Sequence, residues 1–122
     1  MSHYDRAVTL DNGTIFFNGV AQQVLFADLN VTASGDTTVV AAVSDKKIRV
    51  VSIVFSTDTQ TSVGWKSNST ILIQPMAFAQ YGGMAINDLP YGFFVETVAG
   101  EALVANLTGT AAVRGSLLYA LI

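Results

Sequence analysis

The sequence predicts an all-β fold, an antiparallel β-sandwich with an N-terminal arm. No segment shows the 3.6-residue apolar spacing of an amphipathic helix. Apolar residues instead alternate with polar ones along short segments, which turn residues separate at intervals of roughly 8–12 residues. Such a pattern fits an immunoglobulin-like sandwich or a jelly roll. The chain has no cysteine, so the Cys…Trp…Cys framework of immunoglobulin domains is absent, which favours the jelly roll.

The first 22 residues are predicted to form the arm, and residues 23–122 a single sandwich domain. The turn dipeptides Asn12-Gly13 and Asn18-Gly19 flank the short apolar run from Thr14 to Phe17. Two interpretations stay open. The run forms a small hairpin that lies on its own domain, or it docks on a neighbouring subunit.

The first half of the sandwich contains three predicted strands. From Val24 to Thr32, one face of the strand is cleanly apolar: Leu25, Ala27, Leu29 and Val31. The segment from Thr37 to Val43 is rich in β-branched residues. Ile48 to Thr57 is the longest apolar strand, and its odd-numbered and even-numbered positions are both largely apolar. This pattern predicts a central strand that is covered on both faces, on one by the core and on the other by a loop or another subunit.

The second half is predicted to begin with a strand from Thr61 to Lys66, which has Val63 and Trp65 on one face. The next predicted strand begins at Thr70 and ends before Pro75, because proline has no N–H to donate to a neighbouring strand. Met76 to Tyr91 is the least regular stretch, and loops of this length are often functional.

Three further strands are predicted after this loop. Phe93 to Thr97 and Ala102 to Thr108 are expected to pair as a hairpin around the turn from Val98 to Glu101. The final strand runs from Ala111 to Leu121, with its odd-numbered positions towards the core.

Composition excludes several classes of protein. Charged residues make up 12% of the chain, against about 25% in typical soluble domains. Either a hydroxyl-rich surface or extensive coverage by partners explains this deficit. The net charge is −3 and the only basic cluster is Lys46-Lys47-Ile48-Arg49, so we expect no nucleic-acid binding. No run approaches the roughly 20 apolar residues that span a bilayer, and the N-terminus does not resemble a signal peptide, so we expect no membrane partner.

The sequence also lacks the residues of a catalytic or cofactor site. His3 is the only histidine, there is no thiolate ligand, and no nucleophile or phosphate-binding motif occurs, so we expect no enzyme activity, metal or cofactor. Glu96 and Glu101 flank the predicted hairpin and could approach each other like a glycosidase pair. We interpret them instead as surface or ion-paired carboxylates.

Three aromatic residues lie in or beside the irregular middle region: Trp65, Tyr81 and Tyr91. Aromatic rings stack on the faces of sugars, so these residues are candidates for a glycan platform. They are also the residues expected to fill a core or an interface, because they carry large apolar areas. The second interpretation is favoured.

Four motifs, taken in order, resemble a group of small virion-associated β-sandwich proteins of tailed bacteriophages. The motifs are Thr38-Val39-Val40-Ala41-Ala42-Val43, Lys46-Lys47-Ile48-Arg49-Val50, Glu96-Thr97-x-x-Gly100-Glu101-Ala102-Leu103-Val104-x-Asn106-Leu107 and Arg114-Gly115-Ser116-Leu117-x-Tyr119. The resemblance covers roughly residues 37 to 119, and its motifs are structural.

The resemblance implies a jelly roll that serves as a capsid decoration (cement) protein, assembles as a homotrimer and binds the major capsid protein. Its location would be the virion, assembled in the host cytoplasm. The alternative is a fibre or receptor-binding module that recognises host glycan, for which Trp65, Tyr81 and Tyr91 are the candidate stacking residues. For the decoration role, the candidate contacts with other subunits or with the shell are Ile15, Phe16, Phe17 and Phe26.

Overall fold

The computed structural model describes residues 14–17, 20–87 and 93–122, and every residue in these ranges belongs to a strand or to a connection between strands. The described strands are β1 (Thr14–Phe17), β2 (Val20–Gln23), β3 (Leu25–Val31), β4 (Gly35–Val40), β5 (Ile48–Thr57), β6 (Thr61–Ser67), β7 (Thr70–Phe78), β8 (Gly83–Asn87), β9 (Val95–Glu96), β10 (Leu103–Leu107) and β11 (Val113–Leu121).

Two antiparallel sheets pack face to face and enclose the core. Sheet I has the strand order β3-β11-β5-β8, with the short strand β9 also paired to β5, and sheet II has the order β4-β10-β6-β7. The chain passes repeatedly from one sheet to the other, and the last strand, β11, inserts between β3 and β5. Two four-stranded sheets joined in this order form a jelly roll. The predicted fold class, including the jelly roll, is therefore confirmed.

The described part of the first 22 residues lies outside both sheets of the sandwich. Strands β1 and β2 form a separate two-stranded antiparallel sheet, with Thr14 opposite Gln23 and Phe17 opposite Val20. Only Val24 separates β2 from β3. A hairpin therefore precedes the sandwich, and the exact boundary of the arm at residue 22 stays a prediction.

Within the described chain no loop covers the outward side of β5 at Val54, which is 50% exposed, so its predicted cover by another subunit stays a prediction, and a β-bulge explains part of the apolar pattern. Leu118 lies opposite Ser52 and Tyr119 lies opposite Val50, so Val51 has no direct partner on β11. One extra residue reverses the side to which the following side chains point. Val50 before the bulge and Ile53 after it consequently face the same core.

Strand β7 continues past Pro75, where the sequence predicted its end. It is an edge strand of sheet II, so the missing N–H of Pro75 costs no hydrogen bond to an outer neighbour. Gly64 on β6 makes room for the ring, because an added Cβ there would lie 3.2 Å from Pro75 Cγ.

The predicted hairpin between β9 and β10 is also wrong. β9 pairs with β5 in sheet I, whereas β10 pairs with β4 and β6 in sheet II. The turn from Val98 to Glu101 thus bridges the two sheets. Ser67 holds it in place, since its Oγ donates to Glu101 Oε1 at 2.5 Å and accepts from the Val98 N–H at 3.0 Å.

Aromatic and aliphatic side chains from both sheets fill the core. Trp65 is fully buried and packs against Phe55 at 6.3 Å and against Phe94 at 6.1 Å between ring centroids. Thr97 is also buried, and its Oγ1 accepts a hydrogen bond from the Ile48 N–H at 2.9 Å. The core face predicted for β3 is confirmed, because its odd-numbered side chains are buried or half-buried.

Two glycines let the neighbours of β5 approach it closely at the same level. An added Cβ at Gly115 of β11 would lie 1.9 Å from the Val54 carbonyl oxygen. On the other side of β5, a Cβ at Gly83 of β8 would lie 2.0 Å from the Phe55 carbonyl oxygen. No side chain fits at either position without moving the backbone of β5.

Candidate functional site

The outward side of sheet I carries a weakly charged, partly apolar surface. We call it the open face and define it by six residues from four adjacent strands: Phe26, Ser52, Val54, Ala85, Ser116 and Leu118. Leu118 lies directly opposite both Phe26 and Ser52. Ser116 lies opposite Val54, which in turn lies opposite Ala85. Residues that are paired in this way point to the same side of a sheet, so the six side chains form one continuous surface.

Local sequence determines which side chains reach this surface. In β3 the alternation directs Leu25, Ala27 and Leu29 inward and Phe26 outward. In β5 the bulge at Val51 turns Val54 outward, between two serines. Phe26 is 62% exposed and Val54 is 50% exposed. The open face therefore presents two large apolar side chains to solvent on a surface of small residues.

Two charged residues of β3 and β11 point to the same side of sheet I as the open face. Asp28 lies on β3 opposite Ser116, and Arg114 lies further along β11 opposite Asn30 and Ser56. Nearby, Asp58 accepts a hydrogen bond from the Ala112 N–H at 2.8 Å. This bond, helped by the positive charge of Arg114, lowers the pKa of Asp58 below its ordinary value.

A second group of charges closes one end of sheet I. Arg49 Nε donates to Glu96 Oε2 at 2.6 Å, and Lys47 Nζ lies 3.9 Å from Glu96 Oε1. The guanidinium group of Arg49 also lies 4.8 Å from the centroid of the Phe93 ring, which is a cation–π distance. Glu96 is thus ion-paired, as expected, and Glu101 accepts a hydrogen bond from Ser67.

Sheet II carries a polar cluster on its outward side. Asp36 accepts hydrogen bonds from Lys66 Nζ at 2.9 Å and from Asn106 Nδ2 at 2.6 Å. The bond from Asn106, followed by the bond from Lys66, lowers the pKa of Asp36. A shallow groove beside this cluster is lined by Lys66, Asn106, Ile71 and Pro75, among others. The polar groups of the cluster bond to one another.

The residues predicted from the sequence fall into different environments. Phe26 is exposed on the open face. The side chains of Ile15, Phe16 and Phe17 lie outside the described part of the structure, although their backbone forms β1, so their role stays a prediction.

The proposed glycan platform does not form as predicted. Trp65 is fully buried in the core, so its ring has no face available for stacking and this assignment is wrong. Tyr81 is 77% exposed, in a left-handed turn conformation with φ of 64°. Tyr91 lies outside the described residues.

Sequence reasoning missed Val54 and Leu118. Val54 belongs to an apolar run in which the sequence pattern does not distinguish exposed from buried positions. Only the bulge at Val51 determines that Val54 points outward while its apolar neighbours point to the core. The flanking residues Ser52 and Ser56 were the available signal, because small polar residues at alternate positions indicate an outward-facing row.

Other kinds of site were sought in the part of the chain that the structure describes. No group of three or more His, Cys, Asp or Glu side chains there could hold a metal ion. No helix among the described residues is long and apolar enough to cross a membrane.

Fold and surface together define the chain as a jelly-roll protein with one open, weakly charged sheet face. No protein-family profile matches the chain, and no curated protein sequence matches it. One similar solved structure is a chain of the capsid asymmetric unit of cyanophage Pam1, with a TM-score of 0.49 and 14% sequence identity. The similarity covers 81% of this chain and 85% of that chain. A likeness at this level does not bear on function.

Proposed function

We propose that this chain is a non-enzymatic structural protein of a phage virion. As a capsid decoration or cement protein, it would bind the outer capsid surface as a homotrimer and stabilise contacts between shell subunits. Its partners would be further copies of itself and the major capsid protein, with assembly in the host cytoplasm. The open face is the observation that carries this proposal. The motif resemblance over residues 37 to 119 supplies the virion context.

The physical argument concerns what a sheet face needs in water. The solvated face of an antiparallel sheet usually carries charged and polar residues. The core of an interface, by contrast, is depleted in charge and enriched in aromatic residues. On the open face Phe26 lies beside Leu118, as in the second pattern, and the charged Asp28 lies opposite Ser116 on the same side, at edge strand β3. Burying a phenylalanine or valine side chain contributes about 1.5–3 kcal/mol. Because Phe26 is 62% and Val54 is 50% exposed, a partner that covers the open face would gain about 1–2 kcal/mol from Phe26 and about 0.8–1.5 kcal/mol from Val54.

Oligomeric state and location test the proposal directly. Sedimentation equilibrium should give about three times the chain mass of 12.9 kDa. Antibodies raised against the purified chain should label the shell of phage particles in electron microscopy. A monomer in sedimentation would contradict the trimer. Particles without any label would contradict the virion role.

A matched pair of substitutions tests the role of the open face. Val54→Lys places a charge on the open face, and Ile71→Lys places one on edge strand β7 of the other sheet, where Ile71 is 51% exposed. Because an unpaired charge is costly in an interface, Val54→Lys should weaken trimerisation or capsid binding by at least about 10-fold, or roughly 1.4 kcal/mol. Ile71→Lys should leave both unchanged. Equal effects of the two substitutions would exclude the open face as the contact surface.

The alternative function, a fibre or receptor-binding module that recognises host glycan, rests on Tyr81 alone among the described residues. Its exposed ring could stack on a sugar. Antibody label at fibre tips, together with loss of host adsorption in Tyr81→Ala, would favour this alternative over decoration.

A further inference from the structure

The turn between β7 and β8 holds an aromatic residue in a backbone conformation that aromatic residues rarely adopt. The four residues Ala79–Gly82 form a β-turn, in which the Gly82 N–H donates to the Ala79 carbonyl oxygen at 2.9 Å. Tyr81 occupies the third position of this turn with a φ of 64°. Type II turns need a positive φ at this position and usually place glycine or asparagine there. Tyr81 therefore raises the energy of the folded chain, because its Cβ lies close to the following carbonyl group.

Two other non-glycine residues in the described part of the chain have a positive φ, and both belong to types that tolerate it. Asp45 has a φ of 63° and Asn68 a φ of 49°. Their short polar side chains reach the left-handed region more easily, because they can form local hydrogen bonds. The Oδ1 atom of Asn68, for example, accepts from the Ala102 N–H at 2.9 Å. Tyrosine belongs to neither type, so local structure does not explain why it occupies this turn.

The turn is fixed firmly to the sandwich at both of its ends. Thr57, the last residue of β5, is 2% exposed. Its N–H donates to the Gly82 carbonyl oxygen at 2.8 Å, and its Oγ1 donates to the Ala79 carbonyl oxygen at 3.1 Å. Tyr81 itself is 77% exposed, so its ring adds little to the core. A fixed turn thus presents an exposed ring at a cost in backbone energy, and strained residues of this kind cluster at functional sites.

The turn adjoins the open face. Gly83 lies opposite Ser56, one row beyond the pair of Ala85 and Val54, and on the same side of sheet I. Neither Gly83 nor Ser56 carries a large side chain, so the open face continues to the start of β8. Tyr81 lies two residues before Gly83, and two residues span at most about 7 Å. A protein that covers the open face therefore reaches the turn.

We propose that Tyr81 is an anchor residue of the interface at the open face, and that its ring enters a pocket on the shell protein. This inference rests on the proposed function, because it takes the shell protein as the partner of the open face. Tyrosine is enriched among the residues that dominate binding energy, since its ring carries a large apolar area and its hydroxyl group can bond to the partner. A turn that is already fixed also reduces the entropy lost on binding.

The surroundings of Tyr81 favour a protein partner over a sugar. A sugar would contact the ring alone and would leave Phe26 and Val54 exposed, whereas one protein can cover the ring and the open face together. The surfaces described above also favour the shell protein over a second copy of this chain. The open face is a sheet surface of mostly small residues, and the groove beside Lys66 is shallow, so neither encloses a phenol ring.

Binding to phage particles that lack this chain tests the proposal. Co-sedimentation of the purified chain with such particles gives the dissociation constant. Tyr81→Gly removes the ring and should weaken binding at least about 10-fold. Tyr81→Phe keeps the ring and should retain most of the binding. The matched control is Asp45→Gly, which replaces another residue of positive φ, near the opposite end of β5, and should leave binding unchanged.

Thermal unfolding of the same variants separates recognition from a structural role. Glycine adopts a positive φ without the penalty of a Cβ atom, so Tyr81→Gly should not lower Tm and should raise it by up to about 5 °C. A clear fall in Tm would show that the ring stabilises the fold, and it would overturn the proposal.

The binding experiment distinguishes failure of this inference from failure of the proposed function. If the natural chain does not bind the particles, both fail. If the natural chain binds and Tyr81→Gly binds equally well, the inference alone fails. Loss of the trimer in Tyr81→Gly would make a second copy the partner and would overturn the assignment to the shell. Retained binding to particles together with loss of host adsorption would make a sugar the ligand and would also overturn the proposal.

Discussion

Replacement of Gly115 by alanine tests the close approach of β11 and β5. The added Cβ would lie 1.9 Å from the Val54 carbonyl oxygen and 2.7 Å from the Phe55 Cα atom. To reach even 3.0 Å from that oxygen, the two strands must separate by about 1.1 Å, which weakens roughly two backbone hydrogen bonds. Because the N–H and C=O groups of these two bonds would be left poorly paired, the free energy of unfolding should fall by about 2–4 kcal/mol. Alanine recovers about 0.5–1 kcal/mol, because glycine loses more backbone entropy on folding.

The net loss expected for Gly115→Ala is therefore about 1–3.5 kcal/mol, measured by urea unfolding. For a domain of this size it corresponds to a fall in Tm of about 3–18 °C. Gly35→Ala is the control, because Gly35 has a φ of +84° and nothing within 4 Å of an added Cβ. Its cost comes from the left-handed backbone alone, about 1 kcal/mol. If Gly115→Ala costs no more than Gly35→Ala, the strands do not approach as described.

Three further predictions concern the core and the charges. Thr97→Val should cost about 1–3 kcal/mol in urea unfolding, because the buried Ile48 N–H loses its acceptor, and Thr97→Ser should restore most of the loss. Trp65 is the only tryptophan and its ring is fully buried, so the intrinsic fluorescence of the protein should be blue-shifted and acrylamide should quench it little. Added glycans should not change this fluorescence. Ready quenching by acrylamide would show that the ring is exposed. The pKa values of Asp36 and Asp58 are lowered because hydrogen bonds in the folded protein favour their ionised carboxylates. The two ionised groups therefore stabilise the fold above the unfolded-state pKa near 3.9, and this contribution is lost as the pH falls through the folded-state pKa values. Replacing both by asparagine should flatten the dependence of Tm on pH between about 5 and 2, and an unchanged slope would contradict this account.

Local patterns predicted the strands well where one face of a strand is buried. The alternation of β3 and the bounds of β5 follow from short-range periodicity, which does not depend on the rest of the chain. The bulge at Val51 could not be predicted, because apolar residues on both sides of a strand indicate burial on two faces as readily as a change of side. The exposure of Val54, and with it the open face, depends on that bulge.

Pairing between strands was predicted less well than the strands themselves. Val98 to Glu101 contains turn residues that suit a hairpin and a crossing between sheets equally, and only the partners of β9 and β10 distinguish the two. Strand β8 was missed because Gly83–Asn87 contains a single β-branched residue and lies in a stretch with turn signals on either side. Trp65 shares its strand face with Val63, which was the signal that it belongs to the core.

The insertion of β11 between β3 and β5 has a consequence for synthesis. Strand β11 is made after β3 and β5, the two strands that it joins, so the ladder of sheet I is not continuous until Leu121 has been made. At about 5–20 residues per second, the 64 residues from Thr57 to Leu121 take roughly 3–13 s to make, and β5 waits for β11 during that time. An interrupted chain would lack the centre of sheet I altogether. Copies interrupted before β11 would therefore fail to complete the sandwich.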